Sequence, residues 1–166
     1  MEINWYAVVV FLHVVGAFIF VMAHGTSALM AFKLRDEKNI ERIRALLDLS
    51  ASSYGVMYGG LLLLLIAGIV AGFMGNLWGR GWLWTSLVVL IVTAVLMSVR
   101  GSAYYGMLRK AVGLPYFEKG KIQPAVASLS EGEVLPMLQS GRALEVATIG
   151  GLGFILMLWL MMFKPF

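Results

Sequence analysis

Four long runs without a charged residue limit the chain to a small number of folds. They extend over residues 7–32, 49–79, 81–99 and 146–163. Each run is about long enough to cross ~30 Å of hydrocarbon as an α-helix. With 60% hydrophobic residues and a mean hydropathy of +0.86, the chain is also more apolar than one water-soluble core requires. We therefore predict an all-α polytopic membrane protein, a single four-helix transmembrane bundle over residues 1–166.

The predicted spans cover residues 5–32, 50–75, 82–100 and 143–163, with long connections at 33–49 and 101–142. Between Asn39 and Leu49 the apolar residues recur at three- and four-residue steps, which predicts an amphipathic helix that continues into the second span. Ser130 and Glu133 have the spacing of a capping box, which predicts the start of the final helix. Glu2 precedes an apolar run too long for a cleaved signal, so we expect the first helix to remain in the mature protein.

The basic residues predict the orientation of the spans. Of the 13 Lys and Arg residues, all but Arg80 and Lys164 lie in or beside the first and third connections. The positive-inside rule therefore predicts that these connections are cytoplasmic and that both termini lie outside. Acidic residues are interspersed with the basic ones, so the net charge of +4 follows from topology and we expect no nucleic-acid partner.

The second predicted span is rich in glycine. Gly55 and Gly59, and likewise Gly68 and Gly72, are four positions apart. Such small-xxx-small spacings let a neighbouring backbone approach closely in a membrane. We predict that Gly59 and Gly68 pack against another helix.

Both histidines of the chain, His13 and His24, lie in the first span. They are eleven positions apart, so on a helix they differ by about 20° in direction and about 16.5 Å in height. One ring is therefore expected in each leaflet. The shared face also carries mainly small or polar candidate binding residues: Gly16, Ala17, Phe20 and Ser27. Bulky residues such as Phe18 and Met22 occupy the other face, so we expect lipid there and protein or a ligand beside the histidines.

Three classes of function remain open. Ionisable groups at this depth are functional candidates, and imidazole is a frequent axial ligand of haem, which predicts b-type haem at His13 and at His24 and a role in membrane electron transfer. Copper is the second possibility, since the 11 methionines supply thioethers that prefer Cu(I). The third is a non-catalytic subunit or scaffold without a cofactor, in which both histidines pack between helices. The absence of cysteine excludes thiolate ligands.

A haem iron held by one histidine needs a second axial ligand unless it is five-coordinate and open to gas. A homodimer could bring the same histidine of two protomers together, and the chain could otherwise be a subunit of a larger membrane complex. Within one chain the candidate ligands are Met22, Met57, Tyr58 and Met97. At the inner boundary Arg100 and Arg142 either anchor the helix ends, with Arg142 paired to Glu145, or contact haem propionates or lipid phosphate.

Several stretches resemble a group of small predicted bacterial membrane proteins near the copper-resistance D and HemJ-like families. They are FLHVVGAFIFVMAHG at residues 11–25, the basic first connection, the glycine-rich second span and LWLMMFKP at residues 158–165. The resemblance implies a multi-pass protein of the bacterial inner membrane. It further implies that His13 is the first-span histidine of the group, whose HemJ-like members are thought to bind haem. The sequence has no lysine in the middle of a predicted span, and His24 is an addition to the pattern.

Overall fold

The computed structural model describes residues 2–118 and 120–166, and nearly all of the regular structure in these residues is helical. The helices are α1 (Trp5–Asp36), α2 (Ile40–Ser52), α3 (Tyr54–Met74), α4 (Gly81–Met97), α5 (Ala103–Ala111), α6 (Glu131–Leu138) and α7 (Arg142–Phe163). A π-helical turn (Ser98–Ser102) joins α4 to α5, and strands β1 (Tyr116–Glu118) and β2 (Lys121–Gln123) form an antiparallel hairpin.

Within these described residues, four helical stretches are long and apolar enough to cross a membrane. They are Trp5–Asp36, Ile40–Met74, Gly81–Ala111 and Glu131–Phe163. Most of their apolar side chains face outward, as Phe18, Met22 and Leu29 of α1 do. Apolar side chains exposed on all four spans are consistent with contact with a lipid bilayer. The predicted all-α membrane bundle with four spans is therefore confirmed.

Two of the predicted continuous helices are interrupted. Asn39 caps α2 by accepting a hydrogen bond from the amide of Arg42, but α2 ends one residue before α3 begins. At this junction the hydroxyls of Ser52 and Ser53 donate to the carbonyls of Leu49 and Ser50, and such back-bonding bends a helix.

The last span is also divided. The capping box of Ser130 and Glu133 is confirmed at the start of α6, but residues 139–141 separate α6 from α7. The hydroxyl of Tyr104 donates to the carbonyl of Met137 close to this break, and Ser140 donates to Tyr104. Tyr104 thus satisfies a carbonyl at the end of α6 and ties the break to α5.

The spans pack as two pairs, α1 with α3 and α4 with α7. Among the membrane-spanning helices, the two pairs contact each other mainly between α1 and α7, and α3 and α4 scarcely contact each other. We call the boundary between the pairs the seam. At the end of the bundle that carries the two long connections, here the loop end, α1, α2, α5 and α6 share an apolar core. Its buried members are Leu34, Ile43, Leu47, Leu108, Ala111, Val112, Val134 and Leu138. The two helix pairs are therefore also joined at the loop end.

The predicted packing role of Gly59 is wrong. A Cβ at Gly59 would meet nothing within 4 Å, whereas a Cβ at Gly60 would lie 2.7 Å from the backbone nitrogen of Phe20. Gly16 makes the reciprocal approach, since its Cβ would lie 2.5 Å from the backbone nitrogen of Leu64. Adjacent helix positions point about 100° apart, so only one of two neighbouring glycines can face α1. Close contact at Gly68 is confirmed, and the neighbour there is His13.

Candidate functional site

His13 lies between α1 and α3. Its Nδ1 atom is 2.8 Å from the carbonyl oxygen of Leu64, and because a carbonyl only accepts, Nδ1–H donates this hydrogen bond. A Cβ at Gly68 would lie 2.9 Å from Nδ1 and 3.0 Å from Cε1, so the ring fits only because residue 68 is glycine. With Nδ1 protonated in the neutral ring, Nε2 carries the free lone pair. This hydrogen bond either links α1 to α3 or orients the ring of His13 as a metal ligand.

His24 lies at the seam. Its ring is stacked on Phe20, with the ring centroids 5.7 Å apart and the planes 9° from parallel. Nε2 of His24 is 3.4 Å from the position that a Cβ would take at Gly150 of α7. Within the described part of the chain, the side-chain hydrogen bonds include one to His13 and none to His24. His24 therefore presents an imidazole nitrogen to the opposite helix pair without a protein donor or acceptor.

Met97 of α4 also approaches Gly150. Its Sδ and Cε atoms lie 3.6 Å and 3.5 Å from the Cβ position at Gly150. Met97 immediately precedes the π-helical turn at Ser98–Ser102. Such departures from regular helix are frequent at functional sites. An imidazole nitrogen and a thioether sulfur, from α1 and α4, thus converge on one residue of α7.

The other candidate residues of α1 have different neighbours. Phe20 supports the ring of His24, as described above, and Ala17 is half-buried. Ser27 is 2.9 Å from the hydroxyl of Ser53 and accepts a hydrogen bond from Ser50, so it holds the junction of α2 and α3. The expected ligand space at Gly16 is taken by the backbone of α3. The shared face therefore meets protein over much of its length, and the two histidines contact different helices.

Arg100, Arg142 and Glu145 gather at the loop end of the pair α4 and α7. Arg142 is 2.7 Å from Glu145, which confirms the predicted ion pair, and Arg100 approaches the same carboxylate at 3.4 Å. Both guanidinium groups remain partly exposed. Two cations around one anion leave a net positive charge about one helical turn beyond Met97.

Sequence reasoning missed the role of Gly150 and the contact between His13 and the Leu64 carbonyl. Gly150, Gly151 and Gly153 form a visible cluster in the sequence, and that cluster was a usable signal for a close approach to α7. No side-chain pattern marks a backbone carbonyl as an acceptor, so Leu64 gave no signal. Met97 was one of four possible ligands by sequence, and in the structure it approaches the same glycine, Gly150, as His24 does.

The fold and this site define a four-span helical membrane protein with two ligand-type side chains meeting at a helix boundary. Among the residues that the structure describes, no three His, Cys, Asp or Glu side chains form a group that could hold a metal ion. Comparisons with family models, with curated proteins and with solved structures give no match to this chain. The resemblance to the copper-resistance D and HemJ-like group thus stays a prediction.

Proposed function

We propose that this protein binds b-type haem at the seam, with His24 as an axial ligand, and takes part in electron transfer within the membrane. The convergence of the His24 nitrogen and the Met97 sulfur on Gly150 is the observation that carries this proposal. A histidine and a methionine form a known axial pair of haem iron. Haem bound there would supply a one-electron redox centre.

The surroundings of His24 suit a flat apolar group. Phe20 fixes the plane of the imidazole by stacking, which is a positioning role. Gly150 carries no side chain next to the two ligating atoms. Because the helix pairs hardly touch between α3 and α4, a macrocycle could enter the seam from the lipid without disturbing the packed pair α1 and α3.

The charges at the loop end support the same position. Haem propionates are anions, and Arg100 and Arg142 provide guanidinium groups that bind carboxylates in a forked geometry. Glu145 holds both of them at the loop end of α4 and α7, within about two helical turns of Met97 and Gly150. Since Met97 would supply a second ligand from the same chain, a haem held by His24 would not require a homodimer. A second haem at His13 stays a prediction on which the site at His24 does not depend.

Copper handling is the second candidate, and the same two atoms favour it. Cu(I) is bound by soft thioether and imidazole ligands, and a single ion needs much less space than a macrocycle. Under this alternative His24 and Met97 would bind the ion directly beside Gly150. Under the scaffold alternative neither cofactor binds.

The test is an absorption spectrum of the protein produced with ample haem and purified in mild detergent, oxidised and then reduced with dithionite, together with copper analysis. We expect a Soret band that shifts on reduction and that disappears in His24→Ala. Met97→Leu should retain haem with altered ligand bands, while Met22→Leu, on the exposed face of α1, should match the wild type. A colourless wild-type protein with bound Cu(I) that His24→Ala removes would replace haem by copper. A well-folded protein without colour and without copper would rule out both cofactors and support the scaffold function.

The orientation and location belong to the same proposal. From the distribution of Lys and Arg we assign the loop end to the cytoplasm and both termini to the outside. A bacterial inner membrane is what the resemblance to the copper-resistance D and HemJ-like group implies. A reporter fused after Phe166 should then be active only outside the cytoplasm. Activity inside the cytoplasm would reverse the orientation without affecting the haem assignment.

A further inference from the structure

The hairpin formed by β1 and β2 exposes an apolar pair. Phe117 is paired directly with Ile122 across the two strands, so both side chains lie on one face of the hairpin. They are 66% and 79% exposed. Tyr116, next along β1, is buried under the protein, where Lys110 lies over its ring at 5.0 Å. The hairpin thus has an inner face that packs on α5 and an outer face that carries two of the larger exposed apolar side chains of the connection.

The path of β1 brings this face back toward the membrane. The side chain of Arg109 donates to the carbonyl of Pro115, where the chain has just turned after α5. Phe117 then passes Gly106, and its carbonyl oxygen is 3.6 Å from the Cβ position there. Pro115 contacts Arg109, whereas Phe117, later in the chain, lies beside Gly106, earlier in α5. β1 therefore runs antiparallel to α5 and toward the membrane-spanning helix α4.

The height of the hairpin follows from the helix rise. A hydrocarbon layer of ~30 Å takes about 20 residues, which from Trp82 reaches about Gly101. Gly106 is five residues farther, or roughly 7 Å, and this is the depth of the headgroup layer on one side of a bilayer. Apolar side chains are exposed along the same helix at Val99 and again at Met107, which continues the lipid-facing surface to this level.

We propose that the hairpin of Tyr116–Glu118 and Lys121–Gln123 lies on the bilayer interface, with Phe117 and Ile122 inserted among the lipid headgroups. Large apolar side chains in this layer gain free energy by leaving water, and flanking lysines favour anionic headgroups. Lys121 precedes Ile122 in β2 and provides such a lysine next to the apolar pair, whereas Lys110 lies on the inner face, 3.8 Å from the carboxylate of Glu118. The contact with lipid anchors the connection between α5 and α6 to the membrane surface.

The absence of cysteine from the chain makes a depth measurement direct. Phe117→Cys and Ile122→Cys are each labelled with a nitroxide in liposomes of phosphatidylcholine and phosphatidylglycerol, and collision rates with oxygen and with a water-soluble nickel chelate are compared. Glu118→Cys and Lys121→Cys, which form the neighbouring cross-strand pair, are the matched controls. Phe18→Cys reports the lipid-exposed surface of α1.

We expect the labels at 117 and 122 to favour oxygen over the nickel chelate at least several-fold more than the labels at 118 and 121. Equal, water-like ratios at all four positions would overturn the proposal. Protection at 117 and 122 from both reagents would also overturn it, because a protein partner would then cover the pair. All four positions are at the exposed surface, and each labelled variant is checked for wild-type elution in detergent.

Discussion

The Nδ1 atom of His13 donates a hydrogen bond to the carbonyl oxygen of Leu64, 51 residues away, across the interface between α1 and α3. The carbonyl lies in the middle of α3, whose backbone groups are also needed for its own helix. Gly68 completes the contact by leaving space for the ring. One polar contact thus fixes both the rotation and the height of α1 on its main partner.

We expect His13→Ala and Gly68→Ala to destabilise the protein through the same contact. The first removes the donor, and the second places a methyl group where the ring lies. Each should lower the free energy of unfolding by about 0.6–1.7 kcal/mol, the range for polar contacts between membrane helices. The double variant should lose less than the sum of the two, by about 0.5 kcal/mol or more. Denaturation in mixed detergent micelles measures all three, and strict additivity would show that the two residues act separately.

The neighbouring glycines 59 and 60 give a matched pair of substitutions. In Gly60→Ala the new methyl group would lie 2.7 Å from the backbone of α1, so α1 and α3 must separate. We expect a loss of about 1–3 kcal/mol in the free energy of unfolding, as for overpacked cores. Gly59→Ala meets open space and should be neutral, or stabilising by up to about 1 kcal/mol from helix propensity. Thermal unfolding in one detergent compares them, and equal melting temperatures would contradict the observed rotation of α3.

The four spans can be predicted from the sequence because the hydrophobic thickness of a bilayer sets the number of consecutive apolar residues that a helix needs to cross it. It does not determine which of two adjacent glycines faces a neighbour, since that depends on helix rotation and therefore on contacts such as that of His13 with Leu64. The break at Ser53 was likewise hidden, because it lies within the uncharged run of residues 49–79. The break at residues 139–141 is polar and lies just before the predicted span, but the helix predicted from Ser130 was expected to continue through it. Local side-chain hydrogen bonds decide where these helices end.

The side chain of Arg109 connects three polar groups at the loop end. Its guanidinium group donates to the carbonyls of Pro115 and Leu47 and lies 2.9 Å from the carboxylate of Asp48. Lysine cannot reproduce this fork, so Arg109→Lys should cost about 1–3 kcal/mol by leaving a carbonyl without its partner. Arg35→Lys, at an exposed position, should have no effect.

The consequence of Arg109→Lys should be local. We expect faster tryptic cleavage within residues 112–130, because the anchor of the chain after α5 is loosened. Mass spectrometry of the fragments, with Arg35→Lys treated in parallel, measures the change. Identical cleavage rates in the two variants would assign the stability of this region to the apolar core of the loop end instead.

For the candidate site, the sequence predicted His24 and a short set of possible ligands from residue chemistry alone. It could not select Met97, because the helices that carry Met97 and His24 are far apart in the chain and meet through Gly150 of a third helix. The prediction of one ligand face was too simple for the same reason. Helical periodicity gives the direction of each side chain relative to its own helix, but the neighbour in that direction is a property of the whole bundle.

Glu37, which follows α1, should make the protein sensitive to acid. Its carboxylate accepts hydrogen bonds from the backbone amides of Asn39 and Lys38, and Arg42 lies 4.0 Å away. The amide hydrogen bonds, and secondarily the charge of Arg42, hold the pKa of Glu37 below its ordinary value of 4.5. Because the pKa is lower in the folded state than in the unfolded state, the ionised carboxylate contributes stability above pH 4.5, and this contribution is lost as the pH falls through the folded pKa.

Glu37→Gln keeps a neutral oxygen acceptor and removes only the charge. We therefore expect it to lower the melting temperature slightly at pH 7 and to flatten the fall in melting temperature below pH 4.5. Asp36→Asn removes the same charge one residue earlier, where the structure shows no side-chain hydrogen bond to the described backbone, and serves as the control. Melting curves between pH 7 and pH 3 in one detergent compare the three proteins. If the wild type and Glu37→Gln lose stability in parallel in acid, the turn between α1 and α2 does not depend on the charge of Glu37.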